Sequence, residues 1–427
     1  MSAPLDFFKY RSGELKVDGV ALSEIAKKNG TPVYVYSAEA FLNPLRALQK
    51  GLRGIDHMIC FAVKSNSNLS ILKMLGQAGA GMDLVSGGEL FRVRKAGVPG
   101  GRIVFSGVGK TEEEIEVALS SKIFSFNVES LPELRLINRV ALRKKAQARV
   151  ALRFNPDVNA KTHPYISTGL KKNKFGLNRK EIIDALPEIS KMKAITVAGL
   201  SLHIGSQLLS LKPLDESFVR MKDLAREIEP KLPAPLEFFD LGGGVGISYD
   251  HQKPKSPTIE DYCAIIQKHF GPRAKNFTPK KIVLEPGRLI AGNSGVIVSK
   301  ILFRKKRTTK DFLIVDAAMN DLLRPALYGS FHDMLPVKKT GGSIRLTDIV
   351  GPVCESSDCF GSDRKMSSKL DSGDYIAILS SGAYGFTMAN NYNSRPKPAE
   401  VLVQNGRAKV IRKRETYQDL VRGEENV

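Results

Sequence analysis

Apolar residues recur along this chain in short runs at regular intervals. Runs at Met58 to Val63, Met82 to Val85, Arg102 to Phe105, Ile123 to Val128, Arg149 to Phe154, Val197 to Leu202, Leu236 to Leu241 and Lys281 to Leu284 have the length and composition of strands. Between them apolar residues return at helical spacing, as at Leu69, Leu72, Leu75 and Ala78, or at Phe218, Met221, Leu224 and Ile228. Strands that alternate with helices pair in parallel through right-handed crossovers. Eight such units over roughly 230 residues predict an α/β fold, a (β/α)8 barrel of the TIM type, whose usual length is about 250 residues. An open doubly wound sheet is the other arrangement this alternation allows.

Beyond Gly295 the period changes to two. Val296 to Val298, Phe312 to Val315, Tyr375 to Leu379, Val401 to Val403 and Val410 to Ile411 read as strands separated by turn signals such as Gly341-Gly342, Ser372-Gly373-Asp374 and Asn405-Gly406. They predict a C-terminal all-β domain. Pro32 to Tyr36 is also strand-like, so the N-terminal segment is expected to join that sheet. The expected division is a barrel over 38–290 and a β-rich domain made of 1–37 and 291–427.

Composition narrows the class. The 427 residues are 42% hydrophobic and 26% charged, an ordinary globular balance, and no apolar stretch approaches the ~20 residues of a spanning helix. With no visible secretory leader before Glu24, a cytoplasmic location is expected. Cys60, Cys263, Cys354 and Cys359 are too scattered for a disulfide framework, and their spacing is wrong for closed zinc coordination, so no metal site is expected. The net charge of +21 raises the question of nucleic acid. Its basic clusters, Arg143-Lys144-Lys145, Lys171-Lys172, Arg304-Lys305-Lys306-Arg307 and Arg412-Lys413-Arg414, lie far apart with no interleaved aromatic stripe, so a nucleic-acid partner is not expected.

Barrel enzymes carry their chemistry at the C-terminal ends of the strands. Here those ends carry Lys64, Asp83 with Ser86, Asn155, His203, Asp240 with a glycine run, and Glu285. A lysine closing an apolar strand either snorkels to water or has its charge removed by covalent chemistry such as a Schiff base. Gly242-Gly243-Gly244 after a strand is either a tight turn or a nest of N–H groups for a phosphate. Glu285-Pro286-Gly287-Arg288 offers either an internal ion pair or a carboxylate for a protonated ring nitrogen. His203, with Ser206 three residues on, offers a flat ring for stacking and a hydroxyl for an anion. Together these are the requirements of pyridoxal phosphate.

On these residues the chain resembles the fold-type III pyridoxal-phosphate-dependent decarboxylases. The resemblance covers nearly the whole chain and rests on Phe61-Ala62-Val63-Lys64, Asp83 to Leu90, His203 to Ser206, Gly242 to Gly244, Glu285 to Arg288, Arg324-Pro325-Ala326-Leu327-Tyr328, Gly351 to Ser356 and Gly382-Ala383-Tyr384. It implies that Lys64 is the Schiff-base lysine and that His203 stacks on the cofactor ring. Ser206, Gly243, Gly244 and Tyr384 would hold the phosphate. Glu285 would pair with the ring nitrogen, with Asp83, Pro286 and Gly287 lining the same site. Arg288, Arg324 and Tyr328 would bind the far carboxylate of a substrate such as meso-2,6-diaminopimelate. Cys354, as proton donor, and Glu355, reading the far ammonium, would come from the second subunit of a homodimer.

Rival expectations follow from the same fold. A decarboxylase of the ornithine, arginine or lysine type has less use for paired Arg288 and Arg324, and a racemase prefers arginine at the ring nitrogen where Glu285 stands. A carrier without activity would have no need of every catalytic position. Ser65 and Asn173 depart from the family's usual alanine and serine. The segment from Asn155 to Phe175 has the length and the Gly and Lys content of a lid.

Overall fold

The computed structural model describes residues 6–159, 174–252, 256–274 and 279–424. The central part of the proposed lid, 160–173, and with it Lys171, Lys172 and Asn173, lies outside these residues. The chain divides into two compact units, Asn43–Ile247 with Lys255–Leu289, and Met1–Leu42 with Ser248–Pro254 and Ile290–Val427.

The first unit is a closed barrel of eight parallel strands. They are β1 (His57–Ala62), β2 (Gly81–Leu84), β3 (Ile103–Phe105), β4 (Ser125–Val128), β5 (Ala148–Arg153), β6 (Ile195–Ser201), β7 (Phe238–Asp240) and β8 (Lys281–Leu284). Each pairs with its sequence neighbour, and β8 closes on β1 through Ile282 opposite His57. The open doubly wound sheet is thereby excluded, and every expected strand is present within one or two residues. Cys60, Val104, Ala151, Ala198, Phe238 and Val283 fill the barrel interior.

Local chemistry sets where the helices start. Ser86, Thr111, Ser130, Asn178 and Thr258 each accept a hydrogen bond from a backbone N–H in the first turn of the following helix. Such caps satisfy donors that a helix start leaves open. Thr111, Asn178 and Thr258 form reciprocal capping boxes with Glu114, Glu181 and Asp261.

In the second unit the sheet runs in the order Cys359–Ser367, Ile344–Val350, Asp311–Val315, Gly295–Lys305, Val33–Ser37, Ala399–Gln404, Arg407–Arg412. Val33–Ser37 lies antiparallel to Gly295–Val298 and parallel to Ala399–Val403, so the N-terminal segment does complete the C-terminal sheet. Phe8, Leu15, Val35, Val296, Ala377 and Val401 belong to its core. Two of its strands, Ile344–Val350 and Cys359–Ser367, escaped the sequence pattern because half or more of their positions are at least partly exposed and several carry charge. Among the described residues no helix is long and apolar enough to cross a membrane.

Candidate active site

The C-terminal end of the barrel gathers the strand-end residues into one connected set. β1 stops at Ala62, and Lys64 sits in the single 3-10 turn Val63–Ser65 that follows. Its ammonium lies 3.7 Å from Asp83 on β2, with the lysine side chain 40% exposed and Asp83 fully enclosed. Among the described residues neither carboxylate oxygen of Asp83 has a hydrogen-bond partner. Burial raises the Asp83 carboxyl above its usual range, against the pull of Lys64.

Across the barrel, Asn127 on β4 ties three groups together. Its amide nitrogen donates toward Ser106 Oγ at 3.1 Å, Asp240 Oδ2 at 2.9 Å and Glu285 Oε1 at 3.0 Å. Ser106 Oγ also reaches Glu285 Oε1 at 3.2 Å, and Asp240 Oδ1 accepts from the Gly242 N–H at 2.9 Å. Burial, then the negative charges of Asp240 and Asp83, push Glu285 well above the ordinary carboxyl range. Asp240 is pushed up to about 6, chiefly by burial. Packed acids cannot all ionise in a low-dielectric interior, so the cluster retains protons near neutrality unless a cation joins it.

The glycine run is sewn between two neighbouring segments. Leu208 N–H donates to Gly244 O at 2.9 Å and Glu285 N–H to Gly242 O at 2.7 Å, while Pro286 O accepts from Ala62 N–H at 3.3 Å. A Cβ on Gly243 would lie 2.2 Å from Glu285 O, and one on Gly244, where φ is +97°, would lie 2.1 Å from Gly205 O. Only glycine fits, so the run sets the spacing between His203-Ile204-Gly205-Ser206 and the end of β8. Gly244→Ala should therefore lower stability by about 2–4 kcal/mol and weaken cofactor retention, measured by thermal melts and by absorbance after dialysis. Gly101→Ala is the control, because nothing lies within 4 Å of its added Cβ.

His203 accepts from the Gly243 N–H at Nδ1, 3.3 Å away. Desolvation, then the charges of Lys64 and Arg153, hold its pKa well below the ordinary imidazole value, so the ring is neutral at pH 7. Arg288 donates from Nη2 to Ser206 Oγ at 3.0 Å, which brings the guanidinium of the Glu285-Pro286-Gly287-Arg288 turn onto the hydroxyl beside His203. Gly242 and Gly243 turn their N–H groups to Asp240 and His203, so these two amides are not part of an open nest.

The remaining sequence-derived candidates lie on the β-rich unit. Arg324 opens the short helix Arg324–Tyr328 and is buried, whereas Tyr328 at its end is half-buried. Tyr384 is half-buried with a left-handed φ of 56°. Cys354 and Glu355 are exposed on a loop pinned at its base, where Gly351 N–H donates to Asp358 O at 3.1 Å and Val353 N–H to Asp358 Oδ2 at 2.8 Å. Asn393 Oδ1 accepts from the Cys354 N–H at 3.0 Å, and the Tyr392 hydroxyl donates to Glu355 at 3.0 Å.

Sequence reading did not single out Asn127, Ser106, Lys110 or the pair Arg153 and Glu129. Lys110 donates to Glu133 at 2.6 Å and to the carbonyls of Gly107 and Asn127 at 2.8 Å, and Arg153 pairs with Glu129 while reaching His203 O at 3.5 Å. The available signal was a polar residue inside an apolar barrel strand, as Asn127 is in β4.

The set fits pyridoxal phosphate on two counts. The buried carboxyls of Asp83, Asp240 and Glu285, with the half-exposed Lys64 amine 3.7 Å from Asp83, suit a cation such as a protonated ring nitrogen. Ser206 and Arg288, joined beside a glycine run that admits no side chain, suit an anion.

Comparison with known proteins agrees in scope. The family described as pyridoxal-dependent decarboxylase, pyridoxal binding domain, matches residues 40–292. The chain is 44% identical to the diaminopimelate decarboxylase of Aquifex aeolicus (strain VF5), over 97% of this chain and 96% of that one. The diaminopimelate decarboxylase of Helicobacter pylori, solved in complex with L-lysine, superposes with a TM-score of 0.88 at 42% identity, over 94% of this chain and 99% of that one. The one from M. jannaschii, also in complex with L-lysine, gives a TM-score of 0.92 at 37% identity, over 100% and 99%.

Proposed function

Because the chain belongs to the diaminopimelate decarboxylases of the pyridoxal-dependent decarboxylase family, we propose that it converts meso-2,6-diaminopimelate to L-lysine and carbon dioxide, the last step of lysine biosynthesis. The observation that carries this reading is the carboxyl cluster of Asp83, Asp240 and Glu285 beside the reachable amine of Lys64.

Pyridoxal phosphate, when bound, would supply an aldehyde for an amine to condense with and a ring that delocalises the electron pair left on the substrate carbon when carbon dioxide departs. The barrel unit, Asn43–Ile247 with Lys255–Leu289, is assigned as its binding domain. Lys64 presents the amine, and Asp83 at 3.7 Å keeps that side chain directed at the strand ends. With the cofactor bound, Glu285 would carry the negative charge that keeps the ring nitrogen protonated, and Asn127 links it to Asp240. His203 offers a neutral ring face, Ser206 and Arg288 take the phosphate with Gly244 and Tyr384, Gly243 gives its N–H to His203 and so only spaces the cradle, and Pro286 and Gly287 shape the turn that carries Arg288.

Substrate recognition is assigned to the β-rich unit and to Arg288. Arg324 and Tyr328 take the far carboxylate and Glu355 the far ammonium. Once carbon dioxide has left, its bonding pair stays on the substrate carbon and a proton must replace it there; Cys354 is the donor. Cys354 and Glu355 are exposed on their own chain, which supports their serving the site of a second copy in a homodimer. Four free thiols suit the reducing cytoplasm.

The test is incubation of purified protein with meso-diaminopimelate, with and without added cofactor, scoring lysine and carbon dioxide. Release of carbon dioxide from ornithine or lysine but not from diaminopimelate would overturn the reading. Cys354→Ala should keep the cofactor's absorbance and lose about a hundredfold or more in turnover. Mixing it with Lys64→Ala should restore about a quarter of wild-type sites if the site is shared in a two-fold dimer. No recovery would argue for a site built from one chain.

A further inference from the structure

We propose that Asn127 is a positioning residue for Glu285. Its side-chain amide donates to Glu285 and Asp240 together, so that the two acids stand side by side without being joined through a shared proton and Glu285 is kept as the anion for a protonated ring nitrogen. The inference rests on the role proposed above for Glu285.

The geometry lies wholly within the barrel unit. Asn127 on β4 and Asp240 on β7 are 2% and 0% exposed, and Ser106 and Glu285, just beyond β3 and β8, are 6% and 8% exposed. Asn127 Nδ2 lies 2.9 Å from Asp240 Oδ2, 3.0 Å from Glu285 Oε1 and 3.1 Å from Ser106 Oγ. Ser106 Oγ reaches the same Glu285 oxygen at 3.2 Å, and the Gly242 N–H gives Asp240 Oδ1 a donor of its own at 2.9 Å. Lys110 donates to the Asn127 carbonyl at 2.8 Å, which ties down the backbone that carries the amide.

Chemistry fixes which way the amide points. Ionised carboxylates only accept, so the end of the side chain that meets two of them must be the NH2 and not the oxygen. The Asn127 side-chain oxygen is buried with no hydrogen-bond partner among the described residues, so the contacts of its nitrogen hold the group in place. An NH2 has two hydrogens. One for each acid leaves neither bare, and the Ser106 hydroxyl then has its own hydrogen for Glu285.

The consequence concerns charge. Two carboxyls in contact in a low-dielectric interior hold one proton between them, and an acid that shares it is no longer a full anion. Asp240 and Glu285 are such neighbours, each acting on the ionisation of the other. A neutral donor that reaches both offers each the hydrogen its neighbour would otherwise have to supply, and the bond from Asn127 favours the ionised form of Asp240. Once a cation joins the cluster, Glu285 can ionise fully while still bonded to Asn127 and Ser106. Asp83 and the Lys64 ammonium also act on Glu285, but through their charges.

The experiment is a double-mutant cycle on the full chain, with Asn127→Ala placed in the wild type and in Glu285→Gln. Two quantities are read for each protein: kcat with meso-diaminopimelate, and the Kd of pyridoxal phosphate from absorbance titration of cofactor-free protein. In the wild-type background we expect kcat to fall and the cofactor Kd to rise, each about tenfold. In the Glu285→Gln background, where no charge remains at that position to preserve, each should change by less than about twofold. Asn127→Leu fills the volume without a donor and should give the same pattern; it decides alone if Asn127→Ala does not fold.

Equal losses in both backgrounds would make Asn127 a structural residue and overturn the inference, leaving the proposed function standing. No change of either quantity in the wild-type background would overturn it as well. A Glu285→Gln protein with wild-type kcat would overturn the role of Glu285 and, with it, the inference built on that role.

Discussion

Lys64→Ala is expected to abolish turnover and the cofactor's visible absorbance together, lowering kcat by at least about 1,000-fold. The structure distinguishes this amine from that of Lys110, another lysine beyond a barrel strand. That ammonium is almost completely enclosed and donates to Glu133 and to two carbonyls, so it has no freedom to leave them. Lys64 is 40% exposed at its side chain, and its ion pair with Asp83 is long at 3.7 Å. An amine that reaches solvent can be met by an aldehyde, whereas one held by three short bonds cannot leave them without stranding a buried Glu133 carboxylate. Absorbance spectra before and after dialysis, together with lysine formation, check the result. A Lys64→Ala protein with wild-type turnover would remove Lys64 from the chemistry and the proposed mechanism with it.

The barrel was legible because burial writes itself into sequence: strands enclosed on both faces read as continuous apolar runs, as Ile103 to Phe105 and Lys281 to Leu284 do. Candidate residues at the strand ends were legible for the complementary reason, since Lys64 and His203 break those runs with groups that burial penalises. The links between them were not. Asn127, Asp240 and Glu285 come from β4, β7 and β8, and only closure of the barrel brings their side chains to within 3 Å of one amide. The contacts of Arg324 and His332 were hidden similarly, because Tyr249 packs on Arg324 and the Leu379 carbonyl meets His332 from distant parts of the chain.

The high positive charge is also partly resolved by pairing that sequence could not display. Arg143 bridges Glu112 and Glu116 on the neighbouring helix, and Lys144 joins Glu116. Arg304 is buried against Asp311 and the carbonyls of Ser367 and Leu370, and Arg412 pairs with Glu400. Each of these comes from a cluster that looks, in sequence, like an open basic patch.

Glu285→Gln should retain the cofactor yet lose about 100- to 10,000-fold in turnover, because an amide cannot carry the negative charge that keeps a ring nitrogen protonated. The same substitution has a pH signature in the cofactor-free protein. Glu285 is raised well above its ordinary range, first by burial and then by Asp240 and Asp83. Between the unfolded value of about 4.3 and its folded value the native state binds more protons than the unfolded one, so stability contributed by the protonated carboxyl is fully present below about pH 4 and lost as pH rises. Asp240, pushed up to about 6, adds to the loss over the same window. Glutamine mimics the protonated acid at every pH. The melting temperature of cofactor-free Glu285→Gln should therefore match wild type near pH 4 and exceed it at pH 8. Adding pyridoxal phosphate should reverse the order at pH 8, since the bound cation stabilises the ionised Glu285 that only the wild type has. A wild type that is no less stable than the variant at pH 8 without cofactor would mean that Glu285 is not held protonated, and the cluster could not act as the proton store opposite the ring.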